Sequence, residues 1–385
     1  MASSNKPSRV VLLRHRQSLP KDRFQAYFNA LRPQAYTESN AARGVASHNI
    51  LSIGWNPFGN LIATGAADRT LRVWNPERAN VRFSTELKGH TAPIEKVAFN
   101  PVKDAELCSV SNDGTVKFWD VRTKNCVNEV RGLGEAFTLA WDPEGESLIV
   151  GNKADNLYVL TPSQSTPIAN HKQPTQTNQV FPCWSRQRVY VGTGKGEVRI
   201  LSYPDLDPVL NYSYDRSKID GSLDIITTTS NNSGDNNDDE ATFTTTTTQN
   251  TNEFALKGHT GSCLSVELSP NGKYLASGGT DSLVCLYDTK DFICSRTLTD
   301  LVGPVRSLSF TFDGYYLVAG SDAEIQPGQS TGIDCYHCES GERVHTFKTA
   351  GPAPIVAWAP TRYQLAYSDL GQLRIVGVDL GMDKK

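Results

Sequence analysis

One unit of about 40 to 45 residues recurs along this chain, and a repeat of that period confines the fold to stacked supersecondary units. Aligning on an apolar-x-aromatic-x-Pro pattern gives seven registers. They are "ILSIGWNP" ending at Pro57, "IEKVAFNP" at Pro101, "AFTLAWDP" at Pro143, "QVFPCWSR" at Arg186, "CLSVELSP" at Pro270, "VRSLSFTF" at Phe312 and "APIVAWAP" at Pro360. Successive gaps run from 42 to 48 residues, except one of double length between 186 and 270. The stretch "LKGHT" stands at Leu87–Thr91 and again at Leu256–Thr260.

Each register carries the same internal grammar. An apolar, alternating strand is followed by a Gly-containing turn such as "PFGN", "PEGE" or "PNGK", the signal of a tight hairpin. A small-residue strand ("LIATGAAD", "LCSVSND", "YLASGGTD") closes on an Asp turn and leads into "TLRVWN", "TVKFWD" or "LVCLYD". A fourth, outer strand ("RFSTEL", "CVNEV") completes the unit. Four strands per unit, Gly-His before it and Trp-Asp at its end, define the WD40 propeller pattern. The expected fold is therefore all-β: a seven-bladed WD40 propeller with an N-terminal extension and a long low-complexity insertion.

In that pattern the Gly-His histidine enters a buried hydrogen-bond chain with a strand Ser, the turn Asp and the Trp. This predicts one network of His90, Ser109, Asp113 and Trp119, and a second of His259, Ser277 and Asp281, with Tyr287 in the Trp position. Buried polar groups need such partners, so these residues read as structural rather than as catalytic dyads.

The two "LKGHT" copies lie 169 positions apart, room for four units. But residues 215–252 centre on "TTTSNNSGDNNDDEATFTTTTTQNTN", with Phe243 as the lone aromatic in that stretch. Such a composition offers no apolar face to offset its ordering entropy. Three units and a disordered insertion are expected there. The domain reading is an N-terminal extension over 1–36, a propeller over 37–380, and the insertion over 215–252 within it. The last unit has no outer strand of its own. Thr37–Ala46 is expected to supply it, with Arg9–Arg14 ("RVVLLR") as the competitor, so that the ring has no open edge. Lys21–Pro33 reads as a short amphipathic helix with Phe24, Tyr27, Phe28 and Leu31 on one face. It would cap the propeller or bind a partner.

A formal charge of −3 argues against a large phosphate-neutralising surface. Eight irregularly spaced Cys suggest reduced thiols in the cytosol or nucleus. The apolar run Val10–Leu13 is too short for a signal peptide, and no stretch approaches a membrane span. "VLLRHRQS" (Val11–Ser18) lacks the Gly that histidine phosphatases carry after their His. "GTGKGEV" (Gly192–Val198) sits in a hairpin, where a phosphate loop would lead into a helix. Cys335 and Cys338 have no second pair to complete a zinc site, and read as one core and one surface thiol. No cofactor is expected. Ser321–His337 lengthens one inter-strand turn into a loop.

Several unit-specific stretches go further. "WDPEGESLIVGNKADNLYVL" (Trp141–Leu160), "VGTGKGEVRILSYPDLDPV" (Val191–Val209), "VGPVRSLSF" (Val302–Phe310) and "DGYYLVAG" (Asp313–Gly320) occur in an order that resembles the WD40 subunits of THO complexes, part of the transcription-and-export (TREX) assembly. The turns Gly151-Asn152-Lys153 and Leu201-Ser202-Tyr203-Pro204 are the most distinctive. The resemblance runs from about residue 45 to 380, outside the insertion and the Ser321–His337 loop. It implies a nuclear, non-catalytic scaffold that docks on the large helical THO subunits, and through them reaches the export helicase, in coupling transcription to mRNA packaging and export. RNA contact would be indirect. Neither a membrane nor a small-molecule substrate is implied. The alternative is a WD40 adaptor of another complex, such as a ubiquitin-ligase substrate receptor. Basic residues Arg69, Arg72, Lys96, Lys153, Lys195 and Arg306 scatter over the loops. Lys96, Lys153 and Arg306 are expected on the face where inner strands enter, the usual partner-binding end.

Overall fold

The computed structural model describes residues 18–36, 49–77, 84–209, 253–322 and 332–377. They form seven four-stranded antiparallel sheets and one helix. In blade two the strands are Ile94–Phe99, Glu106–Ser111, Val116–Asp120 and Asn125–Val130, in that order from the axis outward. The inner strands of the others are Ile50–Trp55, Ala136–Trp141, Thr177–Pro182, Cys263–Leu268, Val305–Phe310 and Val356–Trp358. Each inner strand lies against the next, and blade seven returns to blade one.

The ring has no single core. Seven apolar clusters fill it, and each is shared by two successive blades. Leu71, Val73 and Leu87 of blade one, for instance, meet Ile94, Val97 and Trp119 of blade two, and Ile50, Ile62 and Trp74 of blade one meet Leu373 and Ile375 of blade seven. Sheets packed on both faces bury successive residues of one strand. This is why Ile62–Ala66 and Leu148–Asn152 are buried throughout and read as small-residue runs rather than clean alternation.

The aromatic of the apolar-x-aromatic-x-Pro pattern clamps neighbouring blades. Trp55 Nε1 donates to the Ala357 carbonyl (2.9 Å), Trp141 Nε1 to Ala98 (3.1 Å) and Trp184 Nε1 to Ser269 (2.9 Å). Short hydroxyls satisfy inner-strand amides in the same way. Ser52 Oγ accepts from Val97 N (3.1 Å), and Ser307 Oγ and Ser309 Oγ accept from Val356 N (3.0 Å) and Trp358 N (2.9 Å). An inner strand has one unpaired edge, and these bonds pair its amides.

Blade four is Thr177–Pro182, Arg188–Thr193, Glu197–Ser202 and, beyond the insertion, Ala255–Lys257. Three blades thus separate the two "LKGHT" copies, and the insertion interrupts the connection to an outer strand. Blade seven takes its outer strand from Gln34–Tyr36, with Gln34 opposite Ile375 and Tyr36 opposite Leu373. The closing strand therefore precedes the expected Thr37–Ala46, which lies outside the described residues, as do Arg9–Arg14 and the insertion 215–252.

The reason is the helix, Lys21–Asn29. Phe24 and Phe28 are buried in the seam between blades six and seven, against Tyr316, Phe347, Trp358 and Tyr363. Leu19 is pinned from both sides: Tyr316 Oη donates to its carbonyl (2.6 Å), and its amide donates to Tyr363 Oη (2.9 Å). A helix held here delivers the chain directly to the free edge of Gln372–Val376. Of the predicted face, Leu31 is partly buried and Tyr27 stays exposed, edge-on to Phe28. Among the described residues no helix is long and apolar enough to cross a membrane.

Candidate functional site

In blade two His90 follows the outer strand of blade one, Ser109 lies on the second strand, Asp113 in the turn after it, and Trp119 on the third strand. The structure brings all four together. His90 Nδ1 lies 3.0 Å from Asp113 Oδ2, His90 Nε2 lies 2.8 Å from Ser109 Oγ, and Trp119 Nε1 donates to the same Ser109 oxygen at 2.8 Å. Asp113 also accepts from Thr91 N (2.8 Å), Thr115 N (3.0 Å) and Thr115 Oγ1 (2.6 Å). Burial alone would push the Asp113 carboxyl up, but the bonds from Thr115, Thr91 and His90 outweigh it and hold it at about 2. Burial likewise depresses His90, against the pull of Asp113. A neutral imidazole facing a carboxylate donates from Nδ1, so Nε2 accepts the Ser109 hydroxyl proton. The order resembles a Ser-His-Asp triad, but Ser109 is fully buried and Trp119 occupies its oxygen. The arrangement clasps outer strand, turn and sheet together.

Blade five repeats the His, Ser and Asp bonds, while the Tyr287 hydroxyl in the Trp position is buried without a hydrogen-bond partner. His259 Nδ1 lies 3.0 Å from Asp281 Oδ1 and His259 Nε2 lies 2.7 Å from Ser277 Oγ, while Thr260 N donates to Asp281 Oδ2 (3.0 Å). The glycine before each His has a steric cause. A Cβ on Gly258 would fall 2.0 Å from the Tyr287 hydroxyl oxygen, and one on Gly89 would fall 3.2 Å from the Trp119 ring. Two related clasps carry no His signal and escaped the sequence reading. Asp369 accepts from Ala350 N (3.0 Å) and Gly351 N (3.1 Å), and Asn152 Nδ2 donates to the Leu133 carbonyl (2.7 Å). Asn152 is the centre of the distinctive Gly-Asn-Lys turn. The other distinctive turn meets the same blade: Tyr203 shares a hydrogen bond with Ser147, and Arg186 pairs with the buried Asp142 (3.0 Å).

The three residues expected on the partner face separate. Lys153, in a turn of blade three, is exposed and ion-paired to Glu135 (2.5 Å). Arg306, at the mouth of blade six, is exposed and pairs with Asp322 (2.6 Å). Lys96 stands one residue further along its inner strand and is half-buried. Burial pulls its pKa down against the attraction of Glu267. Glu267 stands on the inner strand of blade five and accepts from Phe310 N (3.1 Å). Burial raises its carboxyl to about 8. The sequence did contain this signal: a carboxylate in "CLSVELSP" where the register of other units has Gly54, Ala98 and Ala140. Arg72 is likewise no loop cation. It is buried on a strand, doubly bonded to Asp68 (3.1 and 2.6 Å).

Gly194-Lys195-Gly196 makes the hairpin turn between two strands of blade four. Cys335 and Cys338 are both buried; the chain turns inward after the strand, where Cys338 N donates to the Tyr315 carbonyl (2.9 Å), so the expected surface thiol is a core one. The described residues hold no cluster of three or more metal-ligating side chains. The centre of the Ser321–His337 loop and most of Val11–Ser18 lie outside the described residues.

The WD domain, G-beta repeat, model matches residues 43–75, 82–120, 250–288 and 293–326. The β-propeller domain of Cps50 (Swd1) from Myceliophteria thermophila superposes with a TM-score of 0.66 over 90% of this chain and 100% of that one, at 14% identity, a likeness of fold alone. Seven blades, two Gly-His clasps and these repeats give the chain the WD40-repeat β-propeller fold. Within that class it is similar to THO complex subunit 3 of Arabidopsis thaliana, 28% identical over 340 residues that span 85% of this chain and 92% of that protein. The WD repeat-containing protein AAC3 of Dictyostelium discoideum is also 28% identical, over 337 residues that span 82% of this chain and 61% of that protein. The chain is thus a WD40 protein like THO complex subunit 3.

Proposed function

We propose that this chain is the propeller scaffold of a nuclear THO-type complex, joining large helical subunits to the machinery that packages and exports nascent mRNA. The observation that carries this reading is the span of its similarity to THO complex subunit 3, which covers nearly the whole of both chains. A closed ring of seven blades suits a docking part. The partner reaches the rim through Lys153 and Arg306, each half of a surface ion pair that can be exchanged for a partner's carboxylate at little cost. RNA and the export helicase are reached through the partner subunits. Co-expression with the large subunits of the same organism tests this. One co-eluting complex is expected on size-exclusion chromatography, weakened at least tenfold by reversing both Lys153 and Arg306 to Glu. Separate elution of the wild-type chains contradicts it.

A further inference from the structure

The four strands of a blade alternate in direction, so the turns after the first and third strands gather at one end of the ring and the turns after the second strand at the other. Exposed apolar side chains are not shared evenly between these ends. Of the ten large ones among the described residues, Phe58, Val102, Trp184 and Tyr315 stand in turns after a first strand, and Ile168 and Ile293 in turns after a third. Val302 and Leu370 alone stand at the end that carries Lys153 and Arg306. Scattered singly, such residues need no explanation. Trp184 does, because of what surrounds it.

Trp184 is 46% exposed, yet its ring is fixed. Its Nε1 donates to the Ser269 carbonyl of blade five (2.9 Å), and Phe181 meets it edge-on with centroids 5.8 Å apart. Two residues on, Arg186 closes the turn, its amide donating to the Cys183 carbonyl (3.0 Å) at a φ of 59°. Blades one, three, five and six close the same turn with Gly59, Gly145, Gly272 and Gly314. A side chain at this φ is strained. This one crosses to blade three, where it pairs with Asp142 (3.0 Å), Glu144 and Glu146 (3.9 Å). The turn after the third strand of blade four joins the same place: Tyr203 N donates to the Gln187 carbonyl (3.0 Å), and the Tyr203 hydroxyl shares a hydrogen bond with Ser147 of blade three. Glu144, Glu146, Asp205 and Asp207 are all exposed. Three adjoining turns thus present four carboxylates beside one tryptophan, and the cation among them is already held by carboxylates. Lys273 and Lys290 in the turns of blade five bound the area; Lys273 lies 5.0 Å from the Tyr274 ring centroid and 4.0 Å from Glu339.

We infer that this end of blades three and four is a docking surface for a cationic protein segment that combines Arg or Lys with apolar side chains. The carboxylates attract the cations and set the register, while Trp184 supplies an apolar anchor whose ring also accepts a guanidinium against its face. A fixed tryptophan inside a polar rim is the composition of an interface anchor. A nucleic-acid backbone is repelled by the same carboxylates. The surface lies at the opposite end of the ring from Lys153 and Arg306, and it stands whether or not the complex proposed above is the right one.

The test uses the full chain and a fluorescein-labelled peptide of alternating Arg and Leu, read by fluorescence anisotropy. The wild type should bind it, with affinity falling as salt rises. Reversing Asp205 and Asp207 together to Lys should weaken binding roughly tenfold. Reversing Glu135 and Asp300 to Lys changes the net charge equally at the other end of the ring, where both are exposed. That pair should shift the Kd by under about twofold, since distant charges are screened. Trp184→Ala should weaken binding about fivefold. Because that change also removes the bond to Ser269, a second peptide of alternating Arg and Ser reads the apolar contact on the unaltered chain, and it should bind about fivefold more weakly than the Arg-Leu peptide. Failure of the wild type to bind, equal losses in the two charge-reversed pairs, or equal affinity for the two peptides overturns the inference.

Discussion

Phe28 and Trp358 meet edge to face, ring centroids 5.7 Å apart, although they come from opposite ends of the chain. The contact locks the N-terminal helix into the seam where the ring closes. Phe28→Ala should destabilise the protein by about 3 kcal/mol, the cost of a buried aromatic truncated in a packed cluster. Urea unfolding measures it. Tyr27→Ala, on the exposed side of the same helix, should change stability by under about 0.5 kcal/mol.

The Asp113 clasp predicts a pH signature. Its carboxyl has a folded value of about 2 against an ordinary 3.8, so the stability it confers is complete above about 4 and lost as pH falls toward 2. The full difference is worth about 2 kcal/mol. His90 adds to acid sensitivity from higher pH, since its folded value lies below the unfolded one and stability falls as pH drops below about 6.5. Thermal melts from pH 7 to 3 should show both losses, and Asp113→Asn should remove the lower one.

The inner strand of blade five gives the opposite sign. Glu267 has a raised folded value, about 8 against 4.5, so its ionisation opposes folding increasingly as pH rises through that interval. Glu267→Gln keeps an acceptor for Phe310 N and removes the titration. It should raise the melting temperature by a few degrees at pH 8 and leave it nearly unchanged at pH 5. A uniform shift at both pH values would contradict this assignment.

The two identical "LKGHT" stretches should tolerate change differently. Gly258→Ala drives a methyl into the Tyr287 hydroxyl, whereas Gly89→Ala meets only the edge of Trp119. The first should cost about 2 kcal/mol and the second less. Tyr287→Phe in the Gly258→Ala background should recover part of the loss, which a double-mutant cycle would measure.

The repeat grammar made the blades legible because strand, turn and clasp residues recur at fixed offsets: His90, Ser109 and Asp113 announce His259, Ser277 and Asp281. What escaped depends on the ring. Lys96 looks like any loop cation, yet it stands half-buried on an inner strand, and Glu267 acquires its meaning from a strand in another blade. Gln34–Tyr36 closes blade seven because Phe24 and Phe28 are anchored just before it, a long-range constraint that no local pattern encodes. Strand alternation gives Cys335 and Cys338 opposite faces, one core and one surface, and it fails once the chain turns inward past His337.

Affinity purification of the tagged full chain from nuclear extract, with quantitative mass spectrometry, tests the central claim most directly. The account predicts the large helical THO subunits at near-equal stoichiometry, with the export helicase present at a lower level. Recovery of a ubiquitin-ligase core or another assembly in their place would contradict it.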